Sequence, residues 1–257
     1  MTSPILNNDF FHPHNYEKHY LQPEPGKQIP VHMLKPKGEI RGWVISLHGI
    51  TDKTENWLSI DAYGFGLSIH RAFLQEGWAV IAPEYMDHGE RGRVYPDFMS
   101  HFKAILQKWD QFYDHTLSEL KFIIDYLAHH QSNGQNPGVF GFSLGGLLSL
   151  ALASIQGQMI SCAVSCACPV PDNPIDAGSP QIIAPKIDNV PVLLLAADRD
   201  VHSSVELNRK VFELLKSQDK HLMIFSAEHQ MVPEYIPPCL AWMRERMKGS
   251  RKHIKEQ

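Results

Sequence analysis

The sequence predicts an α/β protein built on a mostly parallel sheet with helices on both faces. Three observations carry this. Short, continuous apolar runs recur along the 257 residues, helical periods lie between them, and one run ends in a glycine-flanked serine that opens directly into an Ala/Leu-rich stretch, GVFGFSLGGLL at 138–148. Runs without polar alternation are how strands buried on both faces read. An order of strand, helix, strand then implies parallel pairing through right-handed crossovers.

Taken in order, residues 1–28 are expected as an extension ahead of the sheet. The strand-like runs are GWVISLHG (42–49), AVIAPEY (79–85), PGVFGFS (137–143), ISCAVSCA (160–167) and PVLLLAAD (191–198), and a last apolar run, HLMIFSAEH, ends at His229. Phe65, Ile69 and Phe73 are spaced as on a helix face, with Gly77 as a stop. Phe98, Phe102, Ile105, Trp109 and Phe112 form a longer stripe, continued by Leu117, Leu120, Ile124 and Leu127. That stripe either roofs a pocket or packs on the sheet.

The segment from Cys168 to Asn189 holds five prolines and no helical period, so it reads as a structureless crossing with little or no lid. Ser203 and Glu206 have capping-box spacing ahead of Val211, Phe212 and Leu215. Ile236, Leu240, Met243 and Met247 make the last stripe, and 249–257 reads as a flexible tail. With no repeat and no linker, 1–257 is expected to be a single domain.

Composition narrows the partners. A hydrophobic fraction of 43% with 20% charged residues is ordinary for a globular chain, and a net charge of −4 gives no footprint for nucleic acid or an anionic membrane. No apolar run approaches the roughly 18 residues of a membrane span, and the amino terminus has neither a basic start nor an apolar block. The expectation is a soluble, cytoplasmic protein. Cys162, Cys166, Cys168 and Cys239 are too few for a disulfide framework. The first three are evenly spaced, so on one strand they would share a face, and no CxxC or HxxxH accompanies them. They are read as packing thiols, with no metal and no organic cofactor.

The serine turn carries the chemistry. A serine between a buried strand and a helix must adopt a strained backbone and crowd both neighbours; glycines two before and two after remove the side chains that would collide. Its hydroxyl is a poor nucleophile unless a base takes the proton and an acid orients that base. Downstream, Asp198, Asp200, His202 and His229 all fall just past strand ends, on the rim that presents Ser143. His202 shares a loop with the carboxylates and can hardly reach across to the serine. Position alone leaves both carboxylates open.

At this turn the chain resembles the α/β-hydrolase superfamily. The segment DHGERGR (87–93) is similar to the HGxRG stretch of bacterial carboxylesterases in its dienelactone hydrolase and prolyl-oligopeptidase-like branch, and the order of elements agrees from about residue 30 onward. The resemblance implies Ser143 as nucleophile, Asp200, three residues after Ala197, as acid, and His229, between the last strand and last helix, as base. It implies backbone N–H donors to an oxyanion from Leu144 and from Ile50, which follows the His48-Gly49 motif, with the His48 side chain structural.

Arg91 and Arg93 are expected to brace their loop rather than to hold a substrate carboxylate or phosphate. The implied activity is hydrolysis of small, short-chain carboxylic esters through an acyl-enzyme. A thioesterase or peptidase would use the same triad, and a non-catalytic binding protein on the same fold is the alternative from another class. Oligomeric state is left open between monomer and homodimer.

Overall fold

Apolar runs dense in Val, Ile, Leu and Ala have no polar face to give to water, so they are stable only as strands covered on both sides. A computed structural model of the chain, describing residues 16–50, 53–59, 66–92, 95–130 and 135–248, shows this arrangement. The strands are β1 (Tyr16–Glu24), β2 (Lys27–Leu34), β3 (Gly42–Leu47), β4 (Trp78–Pro83), β5 (Gly138–Phe142), β6 (Cys162–Cys166), β7 (Val192–Ala197) and β8 (Lys220–Phe225). They form one eight-stranded sheet in the order β1-β2-β4-β3-β5-β6-β7-β8. From β4 to β8 all neighbours are parallel, whereas β2 pairs antiparallel with both β1 and β4.

The helices are α1 (Thr54–Ser59), α2 (Gly66–Gln75), α3 (Phe98–Leu106), α4 (Trp109–His130), α5 (Leu144–Gln156), α6 (Pro180–Ile183), α7 (Val205–Leu214) and α8 (Ile236–Arg246). Successive strand residues point to opposite faces and build two cores. Ile45, Val139 and Leu194 pack with α4, α5 and α7, while Val44, Phe140 and Leu193 pack with α1, α2 and α8. Chain order reverses between β3 and β5: β4 lies on one side of β3 and β5 on the other. At such a switch point the loops leaving the strand ends diverge and open a crevice, so a ligand site is expected there.

The structure departs from the sequence reading in several places. Residues 16–28, read as part of the 1–28 extension, instead form β1 and the start of β2, a hairpin turned by Pro25 and Gly26 with Gly26 at φ 80. Its polar residues hide the strand signal because β1 is an edge, and its register shifts between Leu21 and Glu24, around Pro23. The long Phe98 stripe is two helices, with Asp97 capping α3 through Ser100 N at 2.8 Å. The cap of α7 is Ser204, accepting from Leu207 N, rather than Ser203. The proline-rich crossing contains the single helical turn α6, for which Pro180 at its start presets φ. Phe65 and the 249–257 tail lie outside the described residues.

The cysteines divide as well. Cys162 and Cys166 face the core of α8 and Cys239, but Cys168 sits in the other core, because β6 ends at Cys166 and Ala167 turns the chain with φ 47. All four are unpaired and buried. Among the described residues no helix is long and apolar enough to cross a membrane, and no group of His, Cys, Asp and Glu could hold a metal.

Beneath β3 lies a buried polar set. Trp57 Nε1–H donates to Ser46 Oγ at 2.9 Å, leaving the serine proton for His70 Nε2 at 2.8 Å. Burial lowers the pKa of His70 to about 3, and that of His48, at the end of β3, to about 4. Both are neutral when folded but protonate in the unfolded chain below about pH 6.5. Their stabilisation is therefore complete above that pH and is lost as pH falls toward the depressed values, by up to about 1.4 kcal/mol per pH unit for each. Urea unfolding measured between about pH 7 and pH 5 should show this decline. Constant stability over that range would mean that both rings are hydrated in the folded protein.

Candidate active site

The strand β5 reaches the helix α5 through a single residue, Ser143, which is 6% exposed and has φ 54 and ψ −116. A non-glycine residue at positive φ is held there only by its surroundings, at a cost on the order of 1–3 kcal/mol. Here the surroundings are backbone. A side chain at Gly141 would place its Cβ 1.9 Å from the Gly145 carbonyl oxygen, and one at Gly145 would fall 2.0 Å from that of Leu47. Without those Cβ atoms, helix and strands close to backbone contact. Ser143 N–H still donates to Cys166 O at 2.9 Å, so the ladder to β6 continues to the turn itself.

Two other loops converge on the serine. At the end of β7, Asp200 turns back into the fold with a side chain only 2% exposed. Its Oδ1 accepts from His202 N at 2.8 Å and its Oδ2 from His229 Nδ1 at 2.8 Å. An ionised carboxylate only accepts, so Nδ1 carries the proton and Nε2 is left as an acceptor. That Nε2 lies 2.9 Å from Ser143 Oγ. Ser143, His229 and Asp200 thus form one continuous chain of hydrogen bonds.

Asp198 is elsewhere. It is 41% exposed, accepts from Ala227 N at 3.1 Å and pairs with Arg199, tying the ends of β7 and β8 together. His202 does not reach Ser143 in any hydrogen bond but packs edge-on against His229, with ring centroids 4.5 Å apart.

The backbone candidates lie on the same side. Leu144 is the first residue of α5, where N–H groups have no acceptor within the helix and the helix dipole is positive. Ile50 follows β3 after His48 and Gly49, and both Ile50 and Leu144 line the cavity that contains Ser143. The His48 ring is fully buried, hydrogen-bonded to Gly49 O at 2.8 Å and stacked on Tyr85 at 4.0 Å. It shapes the loop from behind. Arg91 forks onto Glu119 with two contacts of 2.7 Å and donates to Glu84 O, which braces its own loop. Arg93 lies outside the described residues.

The cavity measures about 400 Å³. Phe102, Leu106 and Trp109 form one wall, so the long stripe does both things open to it: these residues face the pocket while Ile105 and Phe112 enter the core. The opposite wall is the proline-rich crossing, including Pro169, Ile175 and Asp176. Sequence reasoning passed over that wall, since an aperiodic loop gives no sign of which way its side chains face. A cleft at the other end of the sheet is lined by Arg41, Glu76 and Arg244; Arg244 and Glu76 already pair with each other there at 2.7 Å.

Comparison with known proteins bears on the family and the fold. The pattern of the dienelactone hydrolase family matches residues 60–233. Among solved structures, an esterase of Pyrococcus furiosus, Pf2001, superposes with a TM-score of 0.69 at 19% identity, over 90% of this chain and 93% of that one. A cold-adapted esterase from an Arctic intertidal metagenomic library gives 0.68 at 17% identity, over 91% and 94%. A protein of Klebsiella pneumoniae subsp. pneumoniae, provisionally called a dienelactone hydrolase, gives 0.72 at 20%, over 90% and 99%. No curated protein matches the sequence.

The crowding at the turn is directly testable. Gly145→Ala drives a Cβ into the Leu47 carbonyl, which can retreat only by moving β3, and should cost about 3 kcal/mol in urea unfolding. Gly38→Ala, where a Cβ meets nothing within 4 Å, should stay within about 0.5 kcal/mol of the wild type. Equal effects would show that the backbone contact at Gly145 is not a tight one.

Proposed function

Since the chain belongs to the dienelactone hydrolase family, we propose that it is a carboxylesterase-like serine hydrolase in which Ser143, His229 and Asp200 form the catalytic triad. The observation that carries this reading is the unbroken relay from Ser143 Oγ to His229 Nε2, 2.9 Å, and from His229 Nδ1 to Asp200 Oδ2, 2.8 Å, at the wall of an apolar cavity. Ester hydrolysis is also what the names of the Pf2001 and metagenomic neighbours state for those proteins.

The steps follow from the positions. His229 Nε2 takes the hydroxyl proton as Ser143 Oγ attacks the ester carbonyl carbon, and the carbonyl oxygen becomes an oxyanion. The Leu144 and Ile50 N–H groups receive that charge; preorganised donors of this kind contribute on the order of 3–4 kcal/mol each. Collapse breaks the bond to the alcohol, to which imidazolium returns the proton, leaving an acyl group on Ser143. Water, deprotonated by His229, then attacks the acyl carbon; the bond to Ser143 Oγ breaks, imidazolium returns the proton to that oxygen, and the acid is released. Asp200 keeps the ring in the required tautomer and balances its transient charge.

The substrate is a small, uncharged or weakly polar ester with a short acyl chain. About 400 Å³ of apolar space receives a few methylenes, whereas a longer chain would run out over Leu106 and Ile175, themselves 50% and 80% exposed, and bury little. Four buried, unpaired cysteines favour a cytoplasmic, reducing setting, and one sheet carrying both cores favours a single domain.

Hydrolysis of p-nitrophenyl butyrate tests the roles. Ser143→Ala should keep the fold, judged by circular dichroism, and lose activity on the order of 10⁴-fold or more. A variant retaining a tenth of the rate would exclude Ser143 as nucleophile. Asp200→Asn should cost far more activity than Asp198→Asn, on the order of 10³-fold against less than about tenfold, because only Asp200 fixes the His229 tautomer. The reverse ranking would transfer the acid's role to Asp198. Along the acyl series, kcat/KM for acetate or butyrate should exceed that for palmitate by about tenfold or more. A preference for palmitate, or a jump in rate at a lipid interface, would mean that α3 opens as a lid.

A further inference from the structure

We infer that Asp176 sets the charge specificity of this pocket, so that esters with a neutral acyl group are substrates and esters with an anionic acyl group are refused. The inference rests on the reading of Ser143 as nucleophile and adds the class of acyl group it accepts.

The cavity wall is apolar on most of its surface, with Phe102, Trp109, Leu147 and Pro169 among its residues. Among the described residues that line it, Asp176 is the one carboxylate, and none is a lysine or arginine. Arg91, considered from the sequence as a holder of a substrate carboxylate, is committed to Glu119 and to the Glu84 carbonyl. His202 supplies no positive charge at neutral pH, because burial and the neighbouring His229 lower its pKa. A carboxylate on the substrate would therefore lose water in a largely apolar space, face a like charge and meet no lysine or arginine among the described residues that line it. Each of these opposes binding.

Asp176 is held in place rather than free to swing away. Its Oδ1 accepts from Gly178 N at 2.7 Å, and the Ser179 hydroxyl accepts from both Ile175 N at 2.9 Å and Asp176 N at 3.2 Å. The loop packs on the ring of Tyr113, which a Cβ at Gly178 would approach to 3.1 Å. Tyr113 registers the charge: burial first, and the Asp176 carboxylate second, push its phenol up to about 12. The acceptor geometry is also what makes a clean variant available. Asparagine can accept from Gly178 N through its own Oδ1, so Asp176→Asn removes the charge and keeps the turn.

The test, followed by acid release, compares ethyl butyrate with monoethyl succinate, which differ at the far end of the acyl group by a methyl against a carboxylate. The wild type should favour butyrate by on the order of 100-fold in kcat/KM, and Asp176→Asn should shrink that ratio about tenfold. In the wild type the ratio should also shrink in about 0.5 M NaCl, which screens the repulsion, and in the variant it should respond less. Comparable rates on the two esters in the wild type, or a ratio that the variant leaves unchanged, would overturn the role of Asp176 while leaving the triad intact. A wild type that cleaves neither ester overturns the esterase reading, and this inference falls with it.

Discussion

Everything at this site depends on three pieces of backbone being allowed to touch. The carbonyl of Gly145 sits where a side chain on Gly141 would be, and the carbonyl of Leu47 sits where one on Gly145 would be. That contact draws the start of α5 down between β3 and β5 and holds Ser143 at a positive φ, φ 54 and ψ −116, at the bend. The strain is local and the restraint is spread over the sheet, so the hydroxyl is aimed without needing a side-chain clamp. The same contact brings the N–H of Leu144 and the loop carrying Ile50 to one side of the serine, because both hang from the strands that the glycines let approach.

The remaining partners come from the other half of the sheet. Parallel strands all end on one rim, so the loops after β7 and β8 reach the serine by lying next to β5 and β6 in order. Asp200, nearly fully buried, is not an unpaired charge: His229 and the His202 backbone both donate to it. Burying a carboxylate is tolerable only under that condition, and removing one donor would leave its cost uncompensated. On the far side of the Ile50 loop, His48 stacked on Tyr85 and Arg91 forked onto Glu119 give the backbone a rigid support.

The parts of this protein legible in sequence are those whose cause is local. The six parallel strands follow from continuous apolar runs, and the serine turn from glycine spacing. Where a cause is tertiary, the sequence is silent or ambiguous. The β1–β2 hairpin looks like a polar extension because an edge strand needs only one covered neighbour. Cys168 leaves the face of Cys162 and Cys166 because Ala167 takes a positive φ that no pattern announces. Asp198 and Asp200 are equivalent by position on the chain. Their environments differ only once β8 is laid beside β7, giving Asp198 the Ala227 N–H and Asp200 the His229 ring. Asp176 is the extreme case, a pocket residue in a loop with no period at all.

In the proposed mechanism Ser143 carries the acyl group during turnover. The direct measurement is acid quenching of the enzyme while it hydrolyses p-nitrophenyl butyrate, followed by mass spectrometry of its peptides. A butyryl group on the peptide containing Ser143, formed within the first turnover and lost once substrate is exhausted, is the predicted result. Steady hydrolysis with that peptide unmodified, or with the acyl group on another side chain, would exclude Ser143 as the acyl carrier.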